Sequence, residues 1–198
     1  MITIGVLNLQ GAVSEHFVMT QKAIEKVDFD AEAKTVRYAA DVADCDGIII
    51  SGGESTVIGK LIEERGISKI IKENNIPIFG TCAGMVLLSK KIDQEQPILR
   101  LMDIEVKRNA YGSQKNSFER KIEILGDIFQ GIFIRAPAVE KIHEDNDNNE
   151  EIEILSKLDD IIIAVRQGNN IAMAFHPELT EDTRLHEYYL NLVLDSKN

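Results

Sequence analysis

A single-domain, three-layer α/β fold is predicted, with a mostly parallel central sheet flanked by helices and an additional antiparallel β portion in the C-terminal half. Three observations lead there. Through the first half of the chain, short apolar runs of strand length alternate with helical stretches, the pattern that produces parallel pairing with helices on both faces. The runs at Thr3–Asn8 and Gly47–Ile50 are apolar without alternation, as strands covered on both faces require. After about Gln96 strand follows strand instead. At 198 residues, residues 1–198 read as one domain, long enough to bury a full core, with no repeat or linker to divide it.

Taken in order, Thr3–Asn8 is the first strand, broken by Gln10-Gly11 before a helical pattern from Ala12 to about Val27. Ala33–Val36 is a shorter, charged second strand. Gly47–Ile50 ends in Ser51-Gly52-Gly53-Glu54-Ser55, and helices run through Glu64 and over Ile67–Asn74. Pro77–Gly80 is a strand and Met85–Ile92 a helix. Six further strands are expected at 104–107, 118–125, 132–135, 152–156, 161–166 and 171–175, the last two joined by a hairpin turn over Gln167-Gly168-Asn169-Asn170. Thr180 is expected to cap a closing helix from Glu181 to about Leu194, whose Leu185, Tyr188, Tyr189 and Val193 share one face.

Composition narrows the function. The formal net charge of −11 disfavours a nucleic-acid groove or an anionic membrane surface, both of which need clustered Lys and Arg. No apolar run approaches the ~20 residues of a membrane span. Cys45 and Cys82 lack paired spacing and no signal peptide precedes them, which suits a reducing cytoplasm. The acidic stretch His143–Glu153 reads as a solvated loop.

Cys82 is the residue that demands a reason. It is the centre of Gly80-Thr81-Cys82-Ala83-Gly84, a nucleophile-elbow pattern with cysteine as the nucleophile, running from strand into helix. The turn is strained, and the positions two residues either side must be small for strand and helix to pass closely. The following helix directs its first N–H groups at the sulfur, a field that suits negative charge. A buried structural cysteine would need none of this.

A thiol nucleophile needs a base, and the base an orienting group. Of the four histidines, His16 lies in a charged helix, His143 in the acidic loop and His186 inside the closing helix, positions that read as surface or packing. His176 stands at the end of a strand, with Pro177 stiffening the backbone before Glu178. In open α/β sheets, sites form beyond the carboxyl ends of the parallel strands, where Cys82 and the Gly52-Gly53 turn both emerge. The simplest assembly is Cys82 as nucleophile, His176 as base and then acid, and Glu178 as orienter. The N–H of Ala83 and one from Gly52 or Gly53 would bind an oxyanion. That chemistry is acyl transfer through a thioester. No histidine shows metal-ligand spacing, and no metal is expected.

Gly80-Thr81-Cys82-Ala83-Gly84 with a distant His176-Pro177-Glu178 resembles the class I, or triad, glutamine amidotransferases. Leu9-Gln10-Gly11-Ala12, Gly52-Gly53-Glu54-Ser55-Thr56, Arg108-Asn109, Phe133-Ile134-Arg135-Ala136-Pro137 and the run from His176 to Asp182 narrow the likeness. Together they resemble the glutaminase subunits of pyridoxal 5'-phosphate synthases, almost end to end and in the same order. The resemblance implies Cys82, His176 and Glu178 as the triad, and L-glutamine held against Gly53, Glu54, Ser55, Arg108, Ile134 and Arg135, with Gly53 and Ala83 as the oxyanion donors. A fixed guanidinium and backbone donors suit an α-carboxylate, and an acidic group suits an α-ammonium. It also implies a partner, a (β/α)8-barrel synthase subunit that forms a dodecamer, each copy able to carry one glutaminase. Pyridoxal phosphate is then the partner's product, and no cofactor is expected here. Ser51 stands where the family usually has proline, Ser113 where it usually has a basic residue, and the acidic stretch is longer than usual.

The turn Leu9-Gln10-Gly11-Ala12, at the end of the first strand, is expected to report docking to the site, because glycine lets a peptide plane reorient cheaply. Two other functions share the elbow: a class I glutaminase serving a different acceptor, such as the synthase of the histidine imidazole ring, and a non-catalytic cysteine-elbow redox or binding protein. His176-Pro177-Glu178 speaks against the second, since a redox sensor has no need of a base with its own orienter.

Overall fold

The expected alternation opens the computed structural model, which describes residues 1–112, 117–143 and 150–197. Its elements are β1 (Ile2–Leu7), α1 (Val13–Ile24), β2 (Ala31–Val36), α2 (Ala39–Ala43), β3 (Gly47–Ile50), α3 (Ser55–Glu64), α4 (Ile67–Glu73), β4 (Ile78–Thr81) and α5 (Ala83–Leu88). The strand-rich remainder comprises β5 (Ser89–Ile92), β6 (Met102–Lys107), β7 (Ser117–Ile124), β8 (Asp127–Ile134), β9 (Ala138–Ile142), β10 (Ile152–Leu158), β11 (Ile161–Gln167) and β12 (Asn170–Met173). A 3-10 turn over Pro177–Leu179 and helix α6 (Arg184–Asp195) follow.

The main sheet runs β2-β1-β3-β4-β12-β11-β9-β6-β5, with β10 on β11. From β2 to β12 every neighbouring pair is parallel. Beyond β12 the pairing turns antiparallel through β11, β9 and β6, and β7–β8 forms a separate ribbon. All residues of β1, β3 and β4 are buried, which is why those runs are apolar without alternation. Helix α1 packs against α6, and α3 against α4 and α5.

Several boundaries differ from expectation, each for a physical reason. The helix expected over Met85–Ile92 stops at Leu88. Ser89 turns extended, its hydroxyl donating to the Val86 carbonyl, and Ser89–Ile92 becomes an edge strand whose Lys91 meets Glu105 across the pair at 2.8 Å. Thr180 does not cap the closing helix: its hydroxyl donates to Pro177 O at 2.9 Å and accepts the Asp182 N–H at 3.2 Å, both ahead of the helix. The helix begins at Arg184, after Thr183. β8 starts at Asp127 rather than 132, since Leu125 and Gly126 both take positive φ, 54° and 78°, and close a two-residue hairpin. Helix α2 and strand β9 are further elements that the periodicity did not indicate. Ser113 and most of the acidic loop lie outside the described residues.

The topology gathers the candidate residues. β1, β3, β4 and β12 are parallel, so the segments that follow them, 8–12, 51–55, Cys82 and 174–178, emerge along one rim.

Candidate active site

The elbow has the predicted geometry. Cys82 is held at φ 50° and ψ −101°, a conformation costing about 1–3 kcal/mol that its surroundings must enforce. They do so through its N–H, which donates to Met173 O at 2.7 Å, and through close passage of strand and helix. A methyl group on Gly80 would fall 2.7 Å from Gly84 C, and one on Gly84 would fall 2.4 Å from Ile50 O. Neither space exists. Cys82 is part-exposed, with Sγ 3.7 Å from the Ile134 carbonyl oxygen.

His176 follows the end of β12, its N–H donating to Ile132 O at 2.8 Å. Its Nδ1 lies 2.7 Å from Glu178 Oε1, on the 3-10 turn that Pro177 initiates. Both side chains are buried. Gly52 lies against both groups: a methyl group there would sit 2.3 Å from His176 Cε1 and 3.2 Å from Cys82 Cβ. Only a glycine fits beside base and nucleophile. Burial opposes charge on His176, but its interactions with Cys82 and Glu178 outweigh it and push its pKa up to about 10. Among the described residues His176 Nε2 meets no partner at full hydrogen-bond geometry. At neutral pH the His176 ring beside the Cys82 sulfur is therefore an imidazolium.

A cleft of about 540 Å³ opens over Cys82. Gln10, Gly53, Glu54, Ser55, Ala83, Arg108, Ile134, Arg135 and His176 line it, together with Gly52, Val86, Asn109 and Pro137. Every residue expected to hold glutamine or its oxyanion is thus at one cleft, while Glu178 stands behind His176 and Gly11 behind Gln10. Arg108 Nη1 donates to Gln96 Oε1 at 2.9 Å, and Ser55 Oγ donates to the same oxygen at 3.1 Å. Gln96 is a residue that sequence reading missed, for it lies in an irregular segment with no periodicity. Arg135 sits at φ 45° just past β8, exposed, and among the described residues it forms no ion pair.

The turn after β1 is tied to the same rim. Gln10 Oε1 accepts the Glu54 N–H at 2.7 Å, Ser51 Oγ donates to Gln10 O at 3.3 Å, and Ala12 N–H donates to Gly52 O at 3.3 Å. Gly11 has φ 99°, and a methyl group on it would collide with Gly52 O at 1.8 Å.

Sequence reading also assigned His16 and His186 to surface or packing. Both are buried, and His16 Nε2 lies 3.2 Å from Glu178 Oε2. The missed signal was helical spacing: His16 shares the buried stripe of Met19, Thr20 and Ala23.

A cysteine on a strained strand-to-helix turn, a buried His–Glu pair at the same cleft, and a rim of parallel strand ends together belong to the fold of the class I glutamine amidotransferases. The chain belongs to the SNO glutamine amidotransferase family, whose model matches residues 6–195. It is 64% identical to pyridoxal 5'-phosphate synthase subunit PdxT of Methanobrevibacter smithii, covering 98% of each chain, and 56% identical to the protein of that name from Methanothermobacter thermautotrophicus, again over 98% of each. A crystal structure titled glutamine amidotransferase superposes with a TM-score of 0.83 at 42% identity, covering 96% of this chain and 98% of that one. A putative GMP synthase component from Thermoplasma acidophilum, 14% identical over 100% of this chain and 96% of that one, shares the fold with a TM-score of 0.66.

Proposed function

We propose that this chain is the glutaminase subunit of a pyridoxal 5'-phosphate synthase, hydrolysing L-glutamine to L-glutamate and ammonia and passing the ammonia to the synthase subunit. The elbow and the His–Glu pair would suit any class I amidotransferase. The observation that carries the acceptor is end-to-end identity of 64% to a protein named for that synthase.

In this reading the Cys82 thiolate attacks the side-chain carbonyl carbon of glutamine, and the N–H groups of Ala83 and Gly53 receive the oxyanion. Ala83 opens α5, so its N–H has no intrahelical partner. The carbon–nitrogen bond breaks as the His176 imidazolium gives its Nε2 proton to the leaving nitrogen, releasing ammonia and a thioester. Neutral His176 then takes a proton from water, whose oxygen attacks the thioester. Collapse frees glutamate and restores the thiolate–imidazolium pair. Glu178 holds His176 by Nδ1 throughout. Arg108 and Arg135 fit the α-carboxylate, Glu54 the α-ammonium, and Ser55 with the Ile134 main chain the remaining polar groups.

Free ammonia is lost to protonation and solvent, so the reaction is useful only on an acceptor. The partner we infer is a (β/α)8-barrel synthase, its copies assembled as a dodecamer with up to one glutaminase on each, pyridoxal phosphate being its product. Gln10 and Gly11, hydrogen-bonded or packed against the Gly52–Glu54 turn, are the coupling residues. No helix among the described residues is long and apolar enough to cross a membrane. Cys45 and Cys82 are free thiols, and we place the chain in the cytoplasm. The test is glutamate release from glutamine by the purified chain, alone and with the barrel synthase, beside Cys82→Ala. Stimulated release that vanishes in the variant is expected; release indifferent to the synthase would move the enzyme to another acceptor.

A further inference from the structure

Behind the candidate triad lies a pair of buried histidines. His16 on α1 places Nε2 2.9 Å from Thr81 Oγ1 and 3.2 Å from Glu178 Oε2, and Nδ1 3.0 Å from His186 Nε2 on α6. His186 Nδ1 is buried without a hydrogen-bond partner. Burial foremost holds both rings neutral, with His186 lowered to about 3, so each carries one proton.

The geometry decides where those protons sit. A proton on His16 Nδ1 would be donated to His186 Nε2, forcing the His186 proton onto Nδ1, an orphaned buried donor. It would also turn the His16 Nε2 lone pair toward a carboxylate oxygen. Both arrangements are costly. The reverse tautomers leave neither fault: His186 Nε2–H donates to His16 Nδ1, and His16 Nε2–H faces Thr81 Oγ1 and Glu178 Oε2. The hydrogen bond of Nε2 is with Thr81 Oγ1, and Glu178 Oε2, 3.2 Å from the same nitrogen, has no hydrogen-bond partner of its own among the described residues and sits at the positive end of the ring. Glu178 Oε1 thus meets His176, while Oε2 lies 3.2 Å from the same His16 nitrogen.

We propose that His16, its tautomer set by His186, is a positioning residue for the glutaminase reaction, holding the Glu178 carboxylate so that Oε1 receives His176 Nδ1–H. The proposal rests on the glutaminase reading. It adds a route into the site, because α1 begins directly after the Gln10-Gly11 turn and the same helix carries His16.

Steady-state kinetics on glutamine, with the barrel synthase present, would compare wild type, His16→Leu and His16→Gln. Loss of kcat on the order of 10- to 100-fold with KM little changed is expected for leucine, the scale of a catalytic group displaced by about 1 Å. Glutamine, which retains an N–H donor, should recover most of it. A leucine variant within about twofold of wild type, or equal losses in both variants, would overturn the proposal, making His16 a packing residue. Alkylation of Cys82 by iodoacetamide against pH tests the same link without glutamine, and so separates failure of this proposal from failure of the glutaminase reading. His16→Leu should move the alkylation profile to higher pH, because a poorly held His176 supports the thiolate less well. An unmoved profile would count against the proposal even if wild type hydrolyses no glutamine. Should His16→Leu fail to fold, His186→Leu, which removes only the donor that sets the tautomer, is expected to give a smaller shift of the same sign, and no shift would overturn it.

Discussion

His176 balances two opposed effects, and the balance determines the reaction's pH range. Burial alone would leave it neutral; Cys82 on one side and Glu178 on the other raise it to about 10. Replacing Glu178 by glutamine keeps the side chain's shape and removes its charge. The expected result is a fall in kcat of about 10⁴-fold, the scale seen when a triad's orienting carboxylate is made an amide. The alkaline limb of the kcat profile should also move to lower pH, because the imidazolium loses one of its two supports. A rate profile whose alkaline limb stays in place would show that Glu178 does not act through His176. At this scale the sequence was most legible where chemistry forces a pattern: Gly80-Thr81-Cys82-Ala83-Gly84 and His176-Pro177-Glu178 each name their own roles. It was least legible where a residue acts from the core. His16 is followed by apolar and polar residues alike, and only its 3.6-residue spacing from Met19, Thr20 and Ala23 betrays its burial.

Among elements, the strand-to-helix turn at Cys82 and the turn after β1 do different work, and substitution should separate them. Gly84→Ala drives a methyl group to within 2.4 Å of the Ile50 main-chain oxygen, a backbone clash that no rotamer relieves. Overpacking of this kind costs about 1–3 kcal/mol. For a domain of this size each kcal/mol lowers Tm by about 2–4 °C. A Tm unchanged in that variant would mean that α5 does not pass the end of β3 at so close a distance. Gln10→Ala removes the acceptor of the Glu54 N–H from a largely exposed turn, so Tm should shift little. Synthase-stimulated glutamate release should nevertheless fall severalfold, because the Gly53–Glu54 segment is no longer held. Equal stimulation in wild type and variant would sever Gln10 from coupling. The buried parallel strands were legible because nothing but apolar residues can occupy them. β5 and α2 were not, since Ser89–Ile92 is a strand only by virtue of its pairing with β6, and the five residues of α2 are too few to show a period.

For the whole molecule, the acid side of the stability profile follows from groups far from the acidic surface. His16 and His186 stay neutral when folded, His186 lowered to about 3, whereas in the unfolded chain each takes a proton below about 6.5. Between those values the unfolded state binds more protons, so stability rises with pH there and is lost as pH falls below about 6.5. Each group contributes about 1.4 kcal/mol per pH unit at most, so the pair contributes nearly 3. His176 does not offset this. Its raised pKa gives a contribution fully present below about 6.5 and lost only as pH climbs through about 10. Relief of the net charge of −11 on approach to the pI near 4.9 acts in the opposite direction, but surface charges more than about 8 Å apart are largely screened at physiological salt. The histidines should therefore win. Urea midpoints measured at pH 7.5, 6.5 and 5.5 are expected to fall only across the lower interval, and His186→Gln should reduce that slope by about half. Were the midpoint to rise as pH drops toward 5.5, charge relief would outweigh the buried pair, and the neutral state assigned to both histidines would have to be abandoned.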